Sequence, residues 1–364
     1  MALCFIAQQG SFFARTFPSP TGNNGWEEYM MAVDIVKAPG ADRLVNYYYY
    51  NDWKESLDAD RLALKQLARA CDLVRTGNRK RLVNRPPIVE SIEFRRELSN
   101  VVRLLHLEAR VDFAEGKSEL GSESIIAAID FADRVSDGGW IDVMSAHAKH
   151  QIALGSVRDA LPKLSLGSAL NLRAYFERKT RARSPFAEAM KAEVREKVND
   201  PATYLDDISE ETEYWTPPAE LTRLSPARRA EYVKRTREEF QKLESQIDPV
   251  FAREERFWKF DPANKDPIID YALSTSILDS TPQIAARCRT QFRLAALHCR
   301  VIEFKRTHNR WPNALSELGG REAWYDPASG GSFFYARLSE QSYTLYSLGT
   351  PETGRIDLVW KPER

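Results

Sequence analysis

Cysteine is scarce in this chain. Cys4, Cys71, Cys288 and Cys299 stand far apart, and none forms the paired CxxC spacing that a structural zinc site or a dithiol site needs. They read as ordinary thiols. Cys288 and Cys299 fall on one predicted helix, about 16 Å apart along its axis at ~1.5 Å per residue, too far for a disulfide. Long apolar runs are lacking as well. The run at residues 2–7 is far short of the ~20 residues of a membrane span, so as written nothing sends the chain across a membrane. No hydrophobic stretch precedes Cys4, and Leu3 stands where a lipid-anchored cysteine wants a small neighbour. Net charge is absent too. Lysine plus arginine and aspartate plus glutamate both total 52, so no global field draws nucleic acid or an anionic membrane, and any partner must be recognised locally. The GxSxG, Walker A, GxGxxG, HExxH and EF-hand motifs are all missing, which counts against several large enzyme classes.

What is present describes a folded, helical protein. At 364 residues the chain has room for two or three domains, and an apolar share of 43% is too rich in core-forming side chains for a disordered one. After a loop of Pro, Gly and Asn, the residues Trp26, Tyr29, Met30 and Val33 repeat at helical spacing, with Asn23 or Asn24 placed to cap them. The aromatic run at 47–50 with Trp53 suits packing between helices better than a ligand platform. A second helix fits 57–74, with Gly77 as its stop. From 92 to 170 the helical period persists through expected breaks at Gly116, Gly121, Gly138 with Gly139, and Gly155, which predicts antiparallel helices. The pair 98–114 and 124–135 resembles a tetratricopeptide-like hairpin, although no copies recur at a fixed period of ~34 residues.

Two charged regions follow. Arg178, Lys179, Arg181 and Arg183 cluster beside Tyr175 and Phe176, a solvated helix face rather than a nucleic-acid patch, given the neutral total charge. Between 225 and 257, Val233, Phe240 and Ile247 recur every seven residues, interleaved with Leu243 and Val250. This narrow stripe serves either as a homodimer seam or as a face docked within the chain, and Thr236 in a core position favours docking. The Pro-rich stretch 260–268 then breaks the helix.

Candidate chemistry is thin. His147 and His150 share one side of a helix at i, i+3, with Asp142 upstream, a spacing that zinc can use if a third ligand arrives from elsewhere. The acidic pairs Asp206 with Asp207 and Glu210 with Glu211 read as surface solvation, because adjacent carboxylates on irregular backbone need not converge.

The C-terminal region has a definite order. Thr281 and Pro282 open a long helix that ends before Pro312, Leu315 and Leu318 form a short turn, and strands are predicted at 333–338, 343–348 and 356–360. RWP after the long helix, DP before glycines and an aromatic strand, then YTLYSLG and IDLVW, resemble in the same order the globular part of type II secretion major pseudopilins. The resemblance covers about 282–360. It implies a small α+β unit and a calcium site through Leu348, Glu352 and Asp357. The sequence departs from that pattern where Thr350, Pro351 and Glu352 replace the family's Ala-Asp-Gly and the following loop is shortened. Some 280 helical residues also precede the unit in place of the family's apolar N-terminal helix. The whole chain is similar to large bacterial helical proteins that carry such a tail, often behind a membrane anchor.

The expected fold is therefore mainly α: a helical-hairpin, tetratricopeptide-like array followed by a small α+β domain with a long helix on an antiparallel sheet. The expected division is an N-terminal loop at 1–25, a helical domain at 26–258, a linker at 259–281 and the pseudopilin-like unit at 282–364. The leading functional expectation is a non-enzymatic scaffold that binds a protein partner, linked to an envelope or secretion-type assembly, with no nucleic acid and no cofactor other than calcium. Two alternatives stand beside it: a metal-dependent hydrolase with its site between helices near His147 and His150, and a cytoplasmic peptide-binding adaptor. The chain reads as cytoplasmic as written, and as membrane-anchored and extracytoplasmic if its true start lies upstream.

Overall fold

The computed structural model describes residues 22–46, 56–83, 92–136, 139–182, 184–210, 216–253, 266–274, 281–350 and 354–356. The aromatic run at 47–53, together with Cys4, Arg183, Glu211, Glu352 and Asp357, lies outside them. Within them the chain is mainly helical, with a small antiparallel sheet near its C-terminal end, as the periodicity predicts. Among the described residues no helix is long and apolar enough to cross a membrane.

Helix α1 (Gly25–Lys37) starts at Asn24, whose extended backbone lets its side-chain oxygen accept from the Trp26 amide at 3.3 Å. The same side chain accepts from the Val83 amide at 3.0 Å and donates to the Val83 carbonyl at 2.6 Å, so one asparagine both caps the helix and ties it to a distant segment. After the short α2 (Ala41–Val45), α3 (Leu57–Arg79) is capped by Ser56, which accepts from the Ala59 amide. Helices α4 (Ile92–Ala114) and α5 (Ser118–Arg134) form the expected hairpin. They run antiparallel: Gly121 faces Phe113 beside the connecting turn, and Ser124 donates to Glu108 at 2.8 Å about one helical turn further from it.

Three glycines depart from the breaks expected of them. Helix α3 runs through Gly77 to Arg79, α5 runs through Gly121, and α6 (Trp140–Ala160) runs through Gly155. At two of them the reason is close approach rather than helix termination. A Cβ on Gly77 would meet the Tyr29 ring at 2.5 Å, and one on Gly121 would meet the Phe113 ring at 2.7 Å. Aromatic rings press onto these helices where any side chain would hold them off.

Further helices are α7 (Leu166–Arg181), α8 (Pro185–Asn199), α9 (Pro201–Asp207), α10 (Pro226–Arg253), α11 (Pro267–Ser274) and α12 (Thr281–His308). The stripe on α10 is spent inside the chain. Phe240, Leu243 and Ile247 are buried in a core shared with Met190 of α8, Leu205 of α9 and Ile269 of α11, the docked arrangement that Thr236 favoured. A larger core runs continuously from Tyr29 through Leu105 and Phe131 to Phe176, Leu297 and Tyr343. Hydrophobic packing therefore joins α12 and the sheet to the first helices, and it gathers side chains of α8, α9, α10 and α11 into a cluster of their own. The expected helical domain at 26–258 thus contributes to two cores, and the expected unit at 282–364 shares one of them.

The sheet comprises β1 (Phe334–Arg337), β2 (Tyr343–Thr350) and β3 (Gly354–Ile356), in that spatial order and antiparallel, with Phe334 opposite Tyr346 and Ser347 opposite Ile356. Tyr343, Leu345 and Ser347 alternate inward onto α12, where the Tyr343 hydroxyl lies 2.9 Å from His298 Nδ1. Asp326 latches the unit. Fully buried, its carboxylate accepts from the Ser347 hydroxyl at 2.8 Å, the Ala328 amide at 3.0 Å and the Thr290 hydroxyl at 3.4 Å, joining strand, turn and helix. Gly349 has φ +66°, a left-handed backbone that favours glycine, and its amide donates back to Ser347 at 2.9 Å.

Candidate functional site

The site builds on α6. Its residues His147 and His150, three apart, project from one side of the helix toward the ends of α5 and α7, the start of α8 and the first turns of α12. Between these elements lies a cavity of about 400 Å³. Val143, Ala146, Phe186, Ala285 and Phe292 form its apolar wall. The polar edge is made by the two histidines with Asp133, Lys179 and Cys288, and is extended by Glu188 and Arg289. Pro185 opens α8 at its first position, where its missing N–H costs nothing, and this places Phe186 in the wall.

The two histidines face different partners. His147 Nδ1 lies 2.6 Å from Cys288 Sγ, and its ring meets Phe186 edge-on. Burial, reinforced by His150 and Arg287, drives the His147 pKa down to about 4, so the imidazole is neutral at pH 7. Burial likewise pushes the Cys288 thiol well above its ordinary value, against a smaller opposing pull from Arg287. The pair thus rests as thiol and neutral imidazole rather than as thiolate and imidazolium. His150 Nε2 lies 2.8 Å from Asp133 Oδ1, and its ring packs against Phe292. Burial alone would raise the Asp133 carboxyl, but His150 and Lys179 hold it down at about 2. Lys179 reaches Asp133 at 2.5 Å and Asp130 at 3.0 Å, and the Tyr175 hydroxyl donates to Asp130 at 2.7 Å. The basic cluster read from the sequence is thereby partly absorbed: Lys179 bridges two aspartates, and Arg178 lies over the Tyr175 ring.

The structure therefore brings His147 and His150 to one cavity but not to one metal cluster. Among the described residues, no three histidine, cysteine or carboxylate side chains gather closely enough to hold an ion, and Asp142 pairs with Arg95 at 3.2 Å instead. Of the calcium set, Leu348 is exposed on the outward side of β2, while Glu352 and Asp357 lie outside the described residues. The SLG segment that carried the resemblance has structural work in this fold, through Ser347 on Asp326 and the left-handed Gly349. Cys288 was missed as a site residue because 141 positions separate it from His147, and nothing in the spacing of either helix signals the contact. Comparison with protein-family profiles, curated proteins and solved structures finds no match.

Proposed function

We propose that this protein is a non-enzymatic binding scaffold whose cavity beside α6 holds an amphipathic ligand, a small molecule or an apolar anchor of a protein partner. The supporting observation is the cavity itself: about 400 Å³, walled by apolar side chains on one side and edged on the other by histidines, a lysine and carboxylates. This combination of apolar body and few convergent polar groups is that of a ligand pocket. The occupant has an apolar body lying against Phe186 and Phe292 and a hydrogen-bonding end near His147 and His150. The neutral resting state of Cys288 and His147 favours binding over nucleophilic chemistry, since an attacking thiol needs a thiolate fraction. A role in an envelope or secretion-type assembly is part of this proposal and rests on the pseudopilin-like order of motifs at 282–360.

Titration with the apolar fluorophore anilinonaphthalene sulfonate, on the wild-type chain and on Ala285→Phe, tests the reading. A saturable signal in the wild type that is lost when the new ring fills the cavity, with the melting transition preserved, supports it. Equal signals in both proteins, or none in either, overturn it.

A second reading is favoured by the 2.6 Å approach of His147 to Cys288: thiol chemistry in which the ligand itself, by bringing charge beside the pair, converts it to its ionised form. Alkylation of Cys288 that accelerates on ligand binding and collapses in His147→Gln would favour it over simple binding.

A further inference from the structure

Charge around the α6 cavity is balanced and already engaged. Two acids, Asp133 and Glu188, and two bases, Lys179 and Arg289, line it. Asp133 lies 2.8 Å from His150 Nε2 and pairs with Lys179, which also reaches Asp130 at 3.0 Å. Neither Glu188 nor Arg289 is without a partner. His147 adds no charge, because burial keeps its imidazole neutral at pH 7. Just beyond the lining, Asp130 and the exposed Arg287 are again one of each sign. A cleft of about 980 Å³ between α7, α12 and the segment at 320–325 differs in kind: Arg181, Arg293, Arg300 and Arg321 stand there among Glu177 and Glu322, and charged side chains make up most of its lining.

The polar group with capacity to spare in the α6 cavity is therefore a neutral one. His147 turns Nδ1 to Cys288 Sγ at 2.6 Å. Its Nε2 has no hydrogen bond among the described residues and is not sealed among the buried polar atoms, so it is the ring atom left to face the cavity. A neutral imidazole carries one proton. When the thiol donates to Nδ1, Nε2–H is a donor; when Nδ1–H points at the sulfur, Nε2 is an acceptor. A hydroxyl meets either tautomer, since it both donates and accepts. A carboxylate only accepts and an ammonium only donates, and each brings a charge for which the edge holds no idle counter-charge. Taking an unpaired charge out of water costs far more than one hydrogen bond returns.

Resting on the reading of this cavity as a ligand site, we infer that its occupant is uncharged and ends in a hydroxyl: an alkylphenol or an arylalkyl alcohol. The hydroxyl meets His147 Nε2, and the hydrocarbon lies against Phe186 and Phe292. Phe186 meets the His147 ring edge-on and Phe292 packs on His150, so the polar point and the apolar wall adjoin. The volume of about 400 Å³ sets the size, on the order of a dozen non-hydrogen atoms at the ~30 Å³ that a molecule occupies in liquid water.

The test is calorimetric titration of the full chain, at neutral pH, with three ligands that share one apolar body: para-butylbenzyl alcohol, para-butylbenzoate and para-butylbenzylammonium. The wild type should bind the alcohol about tenfold or more tightly than either ion, a comparison that needs no variant. Ala285→Phe should abolish alcohol binding. His147→Leu should weaken it about fivefold while binding the hydrocarbon para-butyltoluene no less tightly than the wild type does. Circular dichroism checks that both variants keep the wild-type melting transition. An ion that binds as tightly as the alcohol, and is lost in Ala285→Phe, would overturn the hydroxyl assignment and leave the cavity a ligand site. Alcohol binding that survives either substitution unchanged would overturn it as well, because the occupant or its hydroxyl would then lie elsewhere. A protein that takes up the fluorophore but not the alcohol defeats this inference alone, and one that takes up neither defeats both.

Discussion

Asp326 shows how much one residue can carry in the C-terminal unit. Its carboxylate is fully buried and accepts from Ser347, Ala328 and Thr290, so strand, turn and helix converge on one acceptor pair. Asp326→Ala removes the acceptor of the buried Ser347 and Thr290 hydroxyls, while the Ala328 amide keeps the Thr290 oxygen at 3.0 Å, and is expected to lower stability by about 2–4 kcal/mol, measured by denaturant unfolding. Asp326→Asn, which keeps one side-chain oxygen, should lose less; equal losses would show that shape rather than hydrogen bonding holds the turn. The aspartate and the serine were both visible in the sequence as parts of DP and YSLG motifs. Their mutual contact was not, because twenty-one positions and a strand reversal separate them.

At the scale of elements, the α4–α5 hairpin depends on a ring meeting a bare backbone. Gly121→Ala puts a methyl group 2.7 Å from the Phe113 ring, and crowding of that kind costs about 1–3 kcal/mol, set against the ~1 kcal/mol that alanine gains over glycine in a helix. The expected outcome is net destabilisation in thermal melts. In a Phe113→Leu background, where the ring is gone, the same substitution should be neutral or stabilising. Sequence reading treats a glycine inside a helical pattern as a break, since local propensity is all it can see. The hairpin's helices and their order were legible from apolar spacing, whereas the close approach that makes Gly121 useful belongs to the partner helix. The α10 stripe teaches the same lesson: its seven-residue period was plain, and only the fold shows that α8, α9 and α11 cover it.

For the molecule as a whole, the titrating groups around the α6 cavity set an acid limit. In the unfolded chain His147 protonates near 6.5, but in the folded protein burial lowers this to about 4. Between those values the unfolded state binds more protons, so stability falls as pH drops from 6.5 to 4, by up to about 3 kcal/mol at 1.36 kcal/mol per unit. Asp133 acts lower down: its folded pKa is about 2 against 3.8, so its contribution is full above 3.8 and is lost as pH falls through 2. Unfolding free energies measured across pH 7 to 4 should show this decline, and His147→Gln should flatten it. An unchanged slope in that variant would mean the cavity admits water freely enough to keep His147 near its ordinary value.

The sequence by itself determined the mainly helical class, several helix boundaries, a cap at Asn23 or Asn24, and the long helix followed by a small antiparallel sheet. These follow from periodicity, caps and turn residues, which act within a few positions along the chain. Tertiary structure alone decided that α12 and the sheet share a core with the first helices, that His147 meets Cys288 while His150 meets Asp133, and that four arginines line one groove. Each of these is a contact between helices far apart in sequence. Such pairings depend on the shape and burial of whole faces, and no local spacing encodes which face meets which.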